Sequence, residues 1–88
     1  MRTRPVAIRC EFWEFSELER FNTEYEVPTY APGYFAFATS GGGEMYCVSP
    51  LGQVVCLAFV GMSPNEELHV AGSWNEFERM LRPWVEAQ

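Results

Sequence analysis

The sequence is poor in positive charge, in histidine, in paired cysteine and in long apolar runs, and each shortage removes a class of function. Six basic residues stand against twelve acidic ones, for a formal net charge of -6. Nucleic acid is excluded as an expected partner, because phosphate binding requires clustered Lys and Arg. An acidic surface instead steers a basic protein partner. No apolar run is long and unbroken enough to span a bilayer, and the N-terminal MRTRPVAIRCEFWEF has no apolar stretch of signal-peptide length. A cytoplasmic protein with no membrane attachment is the expectation. Three cysteines, an odd number without paired spacing, suit a reducing compartment and argue against a zinc site. The single histidine, His69, leaves little material for nucleophilic catalysis.

What the chain does contain is apolar and aromatic residues, 48% and 16% of its 88 positions. That composition belongs to a folded domain, and the length allows one small domain spanning residues 1–88. The organising stretch is Tyr34–Phe59, YFAFATSGGGEMYCVSPLGQVVCLAF. Three runs of strand-forming residues are separated by Gly41-Gly42-Gly43 and by Pro50-Leu51-Gly52. Glycine supplies the positive φ of tight hairpins, so Gly41, Gly42, Gly43 and Gly52 are the expected structural turn residues. Three-residue loops at both turns set Phe37 opposite Cys47 and Cys47 opposite Val55. One face then collects Phe35, Phe37, Met45, Cys47, Val55, Leu57 and Phe59. The other collects Tyr34, Ala36, Ala38, Glu44, Tyr46, Val48, Val54, Cys56 and Ala58.

Around this sheet the chain reads as follows. Met1–Pro5 is a frayed start, and Val6, Ile8, Cys10 and Phe12 alternate with Arg9, Glu11 and Trp13 as a strand with one buried face. Ser16-Glu17-Leu18-Glu19 fits a capping box opening a short helix near Glu17–Asn22, with Leu18, Phe21 and Tyr25 on one side. Val27–Gly33, with two prolines, reads as a loop. Ser63-Pro64-Asn65-Glu66 begins one helical turn at Pro64–Leu68, followed by an extended segment at His69–Ala71. Ser73-Trp74-Asn75-Glu76 caps a final amphipathic helix carrying Phe77, Leu81 and Trp84, which Pro83 should end or bend. Trp74 and Trp84 are expected core anchors, and Trp13 is expected to cover the sheet edge.

The chemical alternatives are weak. A phosphate loop needs Lys-Ser/Thr after its glycines, whereas Glu44 follows here and would repel phosphate. Cys47 points into the core as an inert thiol, and Cys56 lies on the other face, where only an open surface would make a Cys56–His69 pair reactive. Glu24, Glu26, Glu44, Glu66 and Glu67 read as solvated surface before they read as an acid–base pair. No catalytic residue, cofactor or metal is expected.

Pro32–Val48, Val54–Met62 and Val70–Leu81, in that order, resemble the later half of the SUKH superfamily, the Smi/Knr-like proteins. The family pattern is a hydrophobic strand, a Gly-Ser-Asp step, Gly-Gly-Gly-Glu, an aromatic strand and a late Ser-Phe-x-x-Phe-Leu helix. Phe37–Glu44 and Ser73–Phe77 sit on it, with Ala38-Thr39-Ser40 replacing the Gly-Ser-Asp step. Leu18, Asn22 and Tyr25 are similar to the piece before. The resemblance implies a binding protein and not an enzyme: bacterial members are mostly immunity proteins that neutralise toxins, often nucleases, and fungal members are regulatory scaffolds.

The expected fold is α+β, an antiparallel sheet of about four strands with the short helix and the C-terminal helix over the Phe35/Phe37/Leu57 face. The expected function is an acidic protein-binding module of the immunity type; the alternative is a regulatory subunit acting as a homo-oligomer. The second face, with small alanines flanked by tyrosines, is left bare by this arrangement, and a bare apolar patch marks an interface. The nine residues from Tyr34 to Ala58 on that face are therefore the expected partner-binding set, the partner being a toxin or a second copy in a homodimer.

Overall fold

The computed structural model describes residues 10–86, with side chains described as far as Leu81. Met1–Pro5 and the start of the first expected strand, Val6, Ile8 and Arg9, lie outside the described residues, as does the Trp84 side chain. Five strands form one sheet, each antiparallel to the next in chain order: β1 (Glu11–Phe12), β2 (Phe35–Thr39), β3 (Glu44–Val48), β4 (Val54–Ala58) and β5 (Leu68–Ala71). Three helices join them: α1 (Leu18–Glu24), α2 (Val27–Tyr30) and α3 (Trp74–Glu86). The fold is α+β, with one strand more than expected, because His69–Ala71 pairs with β4 as part of β5.

Both hairpins close with three-residue loops. The Ser40 amide donates to the Glu44 carbonyl at 3.0 Å, and Gly41 takes the left-handed φ of 86°. Gly42 and Gly43 do not, so one of the three glycines carries the turn. The Ala38-Thr39-Ser40 step has a role here: Thr39 Oγ1 accepts from the Gly41 amide at 3.1 Å and Ser40 Oγ from the Gly42 amide at 3.2 Å. These hydroxyls satisfy turn amides as a short acidic side chain would. At the second hairpin Ser49 and Gln53 close the loop at 2.8 Å and Gly52 has φ 82°. Cys47 then faces Val55, as the sequence predicts.

The β2–β3 register is different. Ala38 pairs with Tyr46, but Ala36 pairs with Cys47, so Phe37 is an extra residue in a bulge. A bulge turns every residue beyond it to the opposite face. Phe35 and Phe37 therefore leave the expected core face, and Tyr34 and Ala36 take their places. One side of the sheet packs Ala36, Met45, Cys47, Val55 and Leu57 against Val27 and Ala31 of α2, with Met62, Trp13, Tyr34 and Phe59 around them. The other packs Phe37, Ala38, Tyr46, Val54 and Cys56 against Ala71 and Phe77, with Cys10, Leu18, Val48, Val70 and Leu81 beside them. Thus α2 lies on one face of the sheet and α3 on the other, while α1 runs along the β2 edge with Leu18 reaching the α3 side, so the helices do not share one face as expected.

Local details also correct the sequence reading. Val27–Gly33 contains a helical turn, α2; Pro28 sits in its first turn, where a missing N–H leaves nothing unpaired. Ser16 does not cap α1: it lies within a 3-10 turn at Phe15–Glu17, and Glu17 stands at the cap position without a side-chain bond to the helix amides. Ser63 accepts from the Asn65 amide and opens the expected turn, which spans only Pro64–Glu66 and not Pro64–Leu68, because Leu68 already belongs to β5. At α3, Ser73 Oγ accepts from the Glu76 amide at 3.2 Å, while Glu76 Oε1 accepts from the Gly72 amide at 2.6 Å, one residue earlier than a capping box requires. α3 runs past Pro83 to Glu86, so the proline does not end it.

Candidate functional site

The nine residues expected to form an open binding face are divided by the bulge. Tyr34 and Ala36 belong to the side covered by α2, and Ala38, Tyr46, Val48, Val54 and Cys56 to the side covered by α3. Ala36, Ala38 and Val54 are fully buried. Glu44 and Ala58 face each other at the strand ends, half-buried and exposed. The bare face expected from the sequence is therefore closed from within by α3, which Phe77 anchors beneath Phe37 and Tyr46, at ring distances of 5.7 and 5.6 Å. Trp74, expected as an anchor, meets Phe37 at 5.2 Å but keeps a large exposed surface.

The titratable groups inside this structure are held neutral. All three cysteines are free. Burial, with a smaller repulsion from Cys56, pushes the Cys10 and Cys47 thiols up to about 12; burial and then Glu44 push Cys56 up to about 11. Such thiols hold almost no thiolate at neutral pH and are poor nucleophiles. Register sets His69 against Val55, not against Cys56, so the two are not brought together. Tyr34 donates to Glu67 Oε1 at 2.5 Å, which ties the start of β2 to the Pro64–Glu66 turn and, with burial, raises Tyr34 to about 12. Glu24 is engaged by Arg20. Among the described residues no group of three or more His, Cys, Asp or Glu is placed to hold a metal ion, and no helix is long and apolar enough to cross a membrane.

One ring cluster reaches the surface through Tyr25. Trp13, Phe21, Tyr25 and Phe59 form a chain of ring contacts: Trp13–Phe21 at 4.8 Å, Trp13–Tyr25 at 6.0 Å and Tyr25–Phe59 at 4.7 Å. The fold assembles them from three places. The Trp13 amide donates to the Phe37 carbonyl at the end of β1, which sets the ring over the sheet edge as expected. Phe21 and Tyr25 stand four apart on α1 and its C-cap, the spacing that stacks two side chains on one helix face. Phe59 extends the β3–β4 pairing through its amide to the Gly43 carbonyl. Tyr25 touches the other three rings and is still 42% exposed. Helical spacing alone identifies Phe21 and Tyr25 as one face and reads that face as core; the meeting with Trp13 and Phe59 has no signal in local spacing. A second exposed group, Phe12 and Trp74, lies on either side of Phe37.

α1 is fixed beneath these rings by Asn22. Its Oδ1 accepts from the Ala36 amide and its Nδ2 donates to the Ala36 carbonyl, both at 2.8 Å, and Nδ2 also reaches the Leu18 carbonyl. β1 ends before it can pair with this part of β2, and one buried side-chain amide replaces the missing neighbour.

No curated protein matches the sequence significantly. Residues 5–80 match the SMI1 / KNR4 family (SUKH-1). That span takes in β1 through β5 and the first half of α3, and with them the glycine hairpin, the Asn22 clamp and the capped start of the last helix. The chain belongs to the SMI1/KNR4 family, SUKH-1.

Proposed function

We propose that this SUKH-1 protein is a non-catalytic protein-binding module of the immunity type, which binds a toxin and neutralises it by occlusion. Family membership over residues 5–80 is the observation that carries this reading. The surface supports it: helices pack on both sheet faces, Tyr25 is exposed among its ring contacts, and the net charge of -6 suits a basic partner. Charge of that sign mainly accelerates and orients encounter, while the rings supply the contacts that hold the complex.

The test is growth rescue. Each gene flanking this one is expressed alone, to find one that arrests growth, and together with the protein. Rescue with a stoichiometric complex on size exclusion is the expected result; no rescue and no complex overturns the proposal. The alternative, a regulatory scaffold acting as a homo-oligomer, is favoured by the second exposed aromatic group at Phe12 and Trp74, and sedimentation of the protein alone would reveal it.

A further inference from the structure

We infer that the strip Trp13–Phe21–Tyr25–Phe59 is an arginine-recognition surface, and that the partner presents an arginine side chain to Tyr25. The inference deepens the binding reading above by naming the chemistry the partner must carry. Four rings linked by contacts through Tyr25, which is itself 42% exposed while Trp13, Phe21 and Phe59 are half-buried around it, make an apolar strip with Tyr25 as its open face. The segment that carries three of the rings is mostly negative. Half of the twelve acidic residues, Glu11, Glu14, Glu17, Glu19, Glu24 and Glu26, fall within residues 11–26, against Arg20 as the one basic residue there.

The strip already holds one guanidinium of its own. Arg20 lies 4.7 Å from the centre of the Phe21 ring, and its nitrogens contact Glu17 at 2.5 Å and Glu24 at 2.9 Å. A flat cation on a ring face, clamped at its rim by carboxylates, is the arrangement proposed for the partner one helical turn further on. There Tyr25 offers the ring, and the next residue, Glu26, offers a carboxylate with no ion pair or hydrogen bond among the described residues. Glu26 also holds a left-handed φ of 59°, the single non-glycine residue to do so among those described. Glycine would adopt that backbone with less strain. Arginine fits this site better than lysine, because guanidinium stacks on rings and bonds carboxylates through two nitrogens, whereas ammonium is a compact and strongly hydrated charge.

The test needs no toxin. Isotope-labelled protein is titrated with a capped Arg-Gly-Arg peptide and, separately, with Lys-Gly-Lys, and amide and indole shifts are followed by NMR. The expected result is saturable shifts at Trp13, Tyr25, Glu26 and Phe59, with binding several-fold tighter for the arginine peptide. Tyr25→Ser should weaken it about tenfold, and Glu26→Gln should weaken it less. Trp74→Ala should leave it unchanged, and circular dichroism should show all three variants folded. Shifts spread evenly over every glutamate, equal response to both peptides, or indifference to Tyr25→Ser would overturn the inference. Concentration-dependent shifts at the strip without peptide would also overturn it, by assigning the surface to a second copy. Peptide binding at the strip without toxin neutralisation would sink the immunity reading alone; neutralisation that survives Tyr25→Ser, with no peptide response, would sink the arginine surface alone.

Discussion

At the scale of single residues, Asn22 does the most with the least. It stands in for a strand neighbour at β2, and both polar groups of Ala36 depend on it. Asn22→Ala leaves a buried N–H and C=O without partners, so we expect a loss of about 2–4 kcal/mol in urea unfolding. Asn22→Asp should not rescue it, since a carboxylate accepts but cannot donate to the Ala36 carbonyl. A variant within experimental error of wild type would mean that water replaces the clamp. The glycine hairpin gives a second residue-scale contrast. Gly41 alone of its three glycines holds a positive φ, and a Cβ built at Gly42 meets only Ser40 Oγ at an ordinary 3.7 Å. Gly41→Ala should therefore destabilise by about 1–2 kcal/mol, and Gly42→Ala by a few tenths at most. Equal melting temperatures for the two variants would contradict the turn geometry.

At the scale of elements, the bulge at Phe37 separates what the sequence shows from what it hides. Both loop lengths, the Cys47–Val55 register, the amphipathic last helix and the extended segment at His69–Ala71 follow from local chemistry: glycine in turns, period two in strands, serine at helix starts. The bulge does not. Phe35 and Phe37 alternate with Ala36 and Ala38, and aromatics at alternate positions read as a core face. Nothing local says that Ala36, not Phe37, meets Cys47. One unpaired residue exchanges Tyr34 and Ala36 with Phe35 and Phe37, and that exchange gives α3 an aromatic floor to pack on. The candidate site is hidden for the same reason: Phe21 and Tyr25 stand out as a helix face, but their exposure depends on where the other elements fall. Phe77 tests the arrangement. It is fully buried against Phe37, Tyr46 and Trp74. Phe77→Ala should cost about 3–5 kcal/mol and loosen α3 from the sheet, raising amide exchange along Trp74–Leu81. A variant with wild-type stability would place α3 elsewhere.

At the scale of the whole molecule, two properties follow from sealing both faces. The first is alkaline sensitivity. Cys10, Cys47, Tyr34 and Tyr46 are raised to about 12 and Cys56 to about 11, above the ordinary 9.0 of a thiol and 10.0 of a phenol. A raised folded value means that the folded state keeps the proton longer than the unfolded chain does. Their contribution is thus fully present below pH 9 and is lost as pH rises from there towards 12. Urea midpoints should be level from neutrality to about pH 9 and fall steeply above it; a midpoint unchanged at about pH 11 would contradict the burial of the thiols and Tyr46 and the Tyr34–Glu67 bond. The second property concerns association. An open sheet face would let Ala38→Glu split a dimer while sparing the fold. In this structure Ala38 is fully buried, on the face that Phe77 closes. A carboxylate there would lie among the apolar side chains of Phe37, Tyr46, Val54 and Phe77. It must either be neutralised or force α3 away, and both are costly in an apolar layer. We therefore expect Ala38→Glu to lose the cooperative unfolding transition and the near-ultraviolet signal of the buried rings, at every protein concentration. If the variant instead keeps its melting transition and only its sedimentation changes from dimer to monomer, α3 does not cover this face, and the interface lies where the alternating alanines and tyrosines of the sequence place it.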